Sequence, residues 1–367
     1  MPFSPITSPR NCKTATPAGD PSMTAPGNSQ TGGSRRNLLK TLPGLIISAF
    51  FLWYTFRGIS FAQIRALRLV HPAWILGVLG FTLAGYTLRC VRWTQMVPRA
   101  ALSIRAHFIV CARVLMTSLA ANNILPLRIG DIMRIFTYAD DLGTSPSVIL
   151  STVVLEKLLD IFVLVLLFVS TVGRIATPRL RLIANISLAI STVGLLVLLV
   201  GSRSLQPPVQ RLFARLPANA KLVKIEHWIT LALDATSRLG MVGSLLLLLQ
   251  TVVIWTCEGM IFASALFLLG MPVDRVGPWL AVSFANLSYL IPSSPGAIGP
   301  FELAVKTSLA SHGVAQSQAA VFGLAIHAWM LISVTGAGGI IFLVHRIRIH
   351  NTKPLFVEIE QLPTELP

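Results

Sequence analysis

Apolar runs of bilayer length, one after another, restrict this chain to very few folds. Stretches at approximately 41 to 57, 72 to 89, 106 to 122, 148 to 172, 182 to 201, 241 to 269, 278 to 291 and 316 to 344 read as spans, two of them short. In hydrocarbon a backbone must satisfy its own hydrogen bonds, which helices and closed barrels alone achieve, and runs of this length fit helices. Only 12% of residues are charged against 53% hydrophobic, and the mean hydropathy is +0.71. The expected class is all-α: a polytopic membrane helix bundle of about eight spans.

Two stretches break that pattern. Asn122 to Arg134 carries Asn123, Pro126, Arg128, Gly130 and Asp131; Leu290 to Glu302 carries Pro292, Pro295, Gly296, Gly299 and Pro300. Helix breakers and ionised groups at membrane depth survive only when packed in protein or lining a wet cavity, so both are read as broken or re-entrant segments at the functional centre. Their surroundings echo each other. Gly130 to Gly143 and Gly143 to Glu156 are 13 residues each, and Gly299 to Gly313 and Gly313 to His327 are 14 each. Matching breaks in two halves mark the internal repeats of transporter folds; chance recurrence of Pro and Gly is the alternative.

The charge is strongly positive, +16, with 30 Lys and Arg against 14 Asp and Glu. The excess lies mostly in tails and loops, as in membrane proteins oriented by the positive-inside rule, so no nucleic-acid partner is implied. Arg89, Arg92, Arg99 and Arg105 read as one connection, and Arg174, Arg179 and Arg181 as another; with Arg346, Arg348 and Lys353 they predict cytoplasmic N- and C-termini in a plasma (inner) membrane. The loop 202 to 240 is equally basic, yet eight spans place it outside; its interleaved apolar residues also fit a helix lying on headgroups. Residues 1 to 40, rich in Ser, Thr, Pro and Gly, read as a disordered tail, with translation starting at Met1 or Met23; 41 to 345 is the membrane domain and 346 to 367 a short C-terminal tail. Ser34 to Lys40 fits a positive-inside anchor better than a twin-arginine signal. Trp53, Trp74, Trp93 and Trp279 read as interfacial, and Cys12, Cys90, Cys111 and Cys257 show no paired spacing.

Five cations (Arg113, Arg128, Arg134, Lys157, Lys306) and five carboxylates (Asp131, Glu156, Asp160, Glu258, Glu302) read as lying at membrane depth. Glu156 and Asp160 share one helix face, and Lys157 is expected to reach Asp160. Pro300 fits the first position of a helix whose first turn holds Glu302. Candidate substrate contacts are Asn123, Arg128, Asp131, Arg134, Glu156, Lys157, Asp160 and Glu302; candidate structural breaks are Pro126, Gly130, Pro292, Pro295, Gly296 and Gly299. Pro126 and Pro292 are expected on neighbouring segments around one cavity, with Arg128 or Arg134 near Glu302 or Glu156. The alternative is an ion-pair network that only locks helices together.

Over roughly 40 to 345 the sequence resembles the lysylphosphatidylglycerol synthase transmembrane region family of flippase-like membrane proteins. The carriers are Asn123 to Asp131 with Arg134, Glu156-Lys157 with Asp160, and Pro292 to Gly296 with Gly299 and Glu302. The resemblance implies a domain that handles or translocates an anionic or lipid-linked substrate between leaflets. About 22 residues follow the last span, too few for the soluble aminoacyl-transfer domain of the full synthases, so a standalone member is expected. The sequence holds no His/Cys metal grouping, nucleotide loop or serine elbow, so it reads as transporter-like rather than as an enzyme, with no cofactor. Membrane lipids are the expected partners. The alternatives are an accessory subunit of a lipid-modifying or glycosyltransferase enzyme, or a membrane-embedded lipid-phosphate transferase or hydrolase.

Overall fold

A computed structural model describes residues 46–57, 68–99, 102–125, 128–172, 177–201, 207, 211–213, 220–272 and 274–352; they fall within one unit, Thr41–Pro367. The expected tail at 1 to 40, Pro126, Cys12 and the C-terminal residues from 353 lie outside the described residues. Those described form helices and no strand. We number them α1 (Ile46–Phe56), α2 (Ile75–Met96), α3 (Ile104–Ile124), α4 (Ile129–Phe136), α5 (Pro146–Val172), α6 (Pro178–Gly201), α7 (Ala220–Leu268), α8 (Gly277–Leu287), α9 (Pro300–Ala310) and α10 (Gln316–Thr352). Among the described residues four stretches are long and apolar enough to cross a membrane: Pro72–Met96, Ile104–Ile124, Ser237–Leu268 and Gln316–Arg348.

Contacts fix the relative directions of five helices, α2, α3, α5, α7 and α10. On α2, Arg92 meets Thr251 of α7 and Gly85 meets Cys257, while the amides of Val70 and His71 just before it donate to the carbonyl of Leu268; α7 is therefore antiparallel to α2. Asn123 bonds Thr335, Gly338 lies against Met116 and Ala120, and Arg113 meets His345, so α10 runs antiparallel to α3. With no side chain at Gly338 the two backbones come close, the usual device for packing helices that lipid does not squeeze together. Trp93 donates to Thr152 of α5 at 3.2 Å, whereas Val78 clusters with Val163 and Leu164. α5 is thus antiparallel to α2.

Two consecutive long helices, α3 and α5, consequently point the same way, and α4 with the turn after it carries the chain back between them. Gly130 packs on Ser118 and Asn122, and Asp141 pairs with Arg113 at 2.8 Å, so the return passes half the length of α3. This re-entrant path changes the parity. The cavity that holds Arg99 and Arg105 also holds Arg238 and Leu239, which puts the end of the 202–240 loop on the same side as the α2–α3 turn, not on the opposite side that a plain count of eight spans gives. A hydropathy count misses the return because α4 has only eight residues. α7 bends where Gly240 leaves the helical region (φ 70°). A single cysteine placed by Ser103→Cys or by Leu239→Cys, with native cysteines replaced, should react with an impermeant thiol reagent from the same face of the membrane. Labelling from opposite faces would refute the re-entrant return.

Further departures concern α2, which continues to Met96 rather than ending near 89. Arg89 and Arg92 are therefore not loop charges but lie within the helix, Arg92 at 1% exposure. Trp93, expected at the interface, is also 1% exposed. Trp53 and Trp74 are exposed. Cys90, Cys111 and Cys257 are buried free thiols.

Candidate functional site

The first break folds as its composition dictates. Along α4 the apolar Ile129, Ile132, Met133 and Phe136 recur at helical spacing, with Gly130, Asp131 and Arg134 on the other face. Ile132 and Phe136 are exposed while Gly130 and Arg134 are buried, so the short helix turns its polar face into the bundle, the reverse of a soluble protein. Gly130 is needed there. A Cβ at 130 would overlap the carbonyl oxygen of Ser118, and the absence of one lets Asn122 cap the helix, its Oδ1 accepting the Asp131 amide at 3.1 Å and its Nδ2 donating to Asp131 Oδ1 at 3.1 Å.

Four of the candidate residues meet around that face. Arg134, with no exposed side-chain surface, donates to Glu156 Oε2 at 3.0 Å and to Asp131 Oδ1 at 3.2 Å, and its guanidinium lies 5.0 Å from the Trp93 ring centre. Lys157 is 3.6 Å from Glu156 and 3.8 Å from Asp131. It does not reach Asp160 as expected. Asp160 instead accepts from Arg92 through both oxygens, at 2.7 and 3.3 Å, and from Trp255 Nε1 at 3.3 Å. One turn nearer the start of α2, Arg89 binds Glu258 at 2.8 Å and stacks on Trp255. Arg89, Arg92, Arg134 and Lys157 face Asp131, Glu156, Asp160 and Glu258, four against four, so this core cluster is neutral. Neutrality is what a low-dielectric interior requires, since an uncompensated ion there costs several kcal/mol.

The second break is built from glycine and proline. Gly296 (φ 72°) and Gly299 (φ 101°) take left-handed or related conformations, and at Gly299 a Cβ would meet the Ser48 carbonyl of α1 at 2.6 Å. Pro295 opens a 3-10 turn, Pro295–Ala297; Pro292 is exposed just before it. Pro300 opens α9 and Glu302 reaches back to the Gly299 amide at 2.6 Å, the first-turn role expected of it. Its other oxygen is 2.8 Å from His327 Nδ1. Both side chains are almost wholly buried, with the imidazole stacked on Phe301 at 4.0 Å.

The two breaks touch. The carbonyl of Asn123 lies 3.8 Å from where a Cβ on Gly296 would sit, and Arg128 holds its guanidinium 5.9 Å from the ring centre of Tyr289, whose hydroxyl is 3.4 Å from His327 Nε2. Aromatic and hydrogen-bond contacts thus run from Arg128 through Tyr289 and His327 to Glu302. Arg128 differs from the four cations of the core cluster. It is exposed, has no carboxylate partner among the described residues, and adopts a left-handed conformation (φ 53°, ψ 43°) that costs a non-glycine residue roughly 1–2 kcal/mol. Strain of that kind collects at functional positions.

Sequence reasoning placed the two motifs but missed Arg89, Arg92 and Tyr289 as members, and took His327 only as a spacing echo. The signal for the arginines was present: Tyr86, Arg89 and Trp93 recur three and four apart, a polar stripe no lipid-facing helix carries.

A family model described as Lysylphosphatidylglycerol synthase TM region matches residues 42–338. No curated protein and no solved structure matches the chain.

Proposed function

From the premise that the chain belongs to the lysylphosphatidylglycerol synthase TM region family, and so is a multi-pass membrane protein of lipid metabolism, we propose that it moves an anionic lipid or lipid-linked substrate between leaflets. The observation that carries this reading is Arg128. A strained, exposed cation at the meeting point of two helix breaks, beside a charge cluster that is already neutral without it, fits an anionic group arriving from outside the protein. Asp131, Arg134, Glu156 and Lys157 then hold the break in shape, and Asn123 ties it to α10 through Thr335. Tyr289, His327 and Glu302 connect Arg128 to the second break. The end of the bundle bearing Arg99, Arg105, Arg238, Arg346 and Arg348 is read as cytoplasmic.

The test is leaflet exchange in proteoliposomes containing the full chain, with a fluorescent phosphatidylglycerol analogue and a phosphatidylcholine analogue as probes and an impermeant quencher outside. The expected result is that the anionic probe becomes accessible faster than in protein-free vesicles and faster than the zwitterionic one. Exchange of neither probe would remove the transport reading in favour of an accessory subunit.

A further inference from the structure

A cavity of about 950 Å³ opens where α2 ends, α3 begins and α7 bends. None of its lining residues belongs to the charge cluster or the break relay. Two of them, Arg99 and Arg105, are exposed arginines, with Arg238 of α7 beside them, and among the described residues lining it there is no aspartate or glutamate. Most of the remaining wall is apolar, including Val91, Ile104 and Phe108. His107 is already committed, its Nε2 lying 3.3 Å from the carbonyls of both Thr94 and Val97, and so braces the turn that presents the arginines.

The position of this cavity along the membrane normal follows from the spans themselves. The stretches Pro72–Met96, Ile104–Ile124 and Ser237–Leu268 all begin or end at it, so the arginines stand at headgroup depth while the apolar wall faces the first methylenes below. A soluble anion would match the arginines and leave the apolar wall wet. A phospholipid matches both parts at once, phosphate to guanidinium and acyl chain to the wall.

We propose that this cavity is a second lipid site that holds an anionic phospholipid by its headgroup, separate from the substrate path through the two breaks. A guanidinium presents a fork of donors to phosphate oxygens that an ammonium lacks. The site does not depend on transport: a bound lipid here joins the α2–α3 turn to the bend of α7.

The experiment is retention of phosphatidylglycerol by the detergent-purified full chain, titrated with the lipid and read by native mass spectrometry. The lipid is compared with phosphatidylcholine and competed with inorganic phosphate. Arg99→Gln with Arg105→Gln should weaken binding of the anionic lipid at least tenfold without lowering the yield of folded protein, since both side chains are exposed. Arg99→Lys with Arg105→Lys should recover part of the loss. On an Arg128→Ala background the glutamine pair should weaken binding by the same factor, so the site stands or falls apart from the transport reading. The proposal is overturned if the glutamine variant binds phosphatidylglycerol as the native chain does, if phosphatidylcholine is retained equally, or if millimolar inorganic phosphate displaces the lipid.

Discussion

Replacing Arg134 with alanine should cost the protein more stability than any other single change to its charged core, about 3–5 kcal/mol. The side chain is fully buried and holds Glu156 at 3.0 Å and Asp131 at 3.2 Å. Without it two carboxylates share one remaining cation, Lys157, which sits farther away, at 3.6 and 3.8 Å, with a third of its side chain exposed. One negative charge is then left uncompensated in a medium of low dielectric constant. The measurement is the monodisperse fraction on size exclusion and the thermal midpoint in detergent. Pairing Arg134→Met with Glu156→Gln should recover much of the loss, because that double change removes a cation and an anion together. If Arg134→Ala alone keeps the native midpoint, the cluster is solvated and the buried-network account fails.

Arg128→Ala should have the opposite profile, abolishing most transport while leaving the amount of folded protein unchanged. A hydrogen bond to a charged group is worth about 1.5–3 kcal/mol, so loss of a phosphate contact at this position predicts roughly a 10- to 150-fold drop in leaflet exchange. Arg128→Gly sharpens the test. Glycine removes the same charge but relieves the left-handed strain at φ 53°, so it should be at least as stable as the native chain and as inactive as the alanine variant. Arg128→Lys should restore part of the rate, having the charge without the planar fork. Exchange at the native rate in both uncharged variants, with abundance lowered, would make Arg128 a structural member of the break instead.

On the proposed reading these two arginines have opposite parts. Both stand within seven residues of one motif, yet one is consumed by internal partners and the other presents its charge outward over Tyr289. Residues that hold a site should fail in folding, and those that meet the substrate should fail in rate.

What the sequence determined by itself was whatever local chemistry settles. Hydrophobic runs must be helices in lipid, Pro and Gly must interrupt them, and Glu302 after Pro300 must complement a helix start; the helical bundle, the two breaks and the Gly299 to Glu302 contact follow from those requirements alone. What only the tertiary structure decided was which charge meets which. Lys157 looked three residues ahead to Asp160, but Asp160 is taken by Arg92, 68 residues away in sequence, and Glu258 by Arg89, 169 away. Helical spacing limits which neighbours a side chain can reach on its own helix and says nothing about the helix packed against it. The direction of the chain after Ile124 was likewise invisible. Eight residues of α4 are too few to register as a span, and it is the fit of Gly130 against Ser118 that turns them back along α3 and puts the basic end of the 202–240 loop beside Arg99 and Arg105.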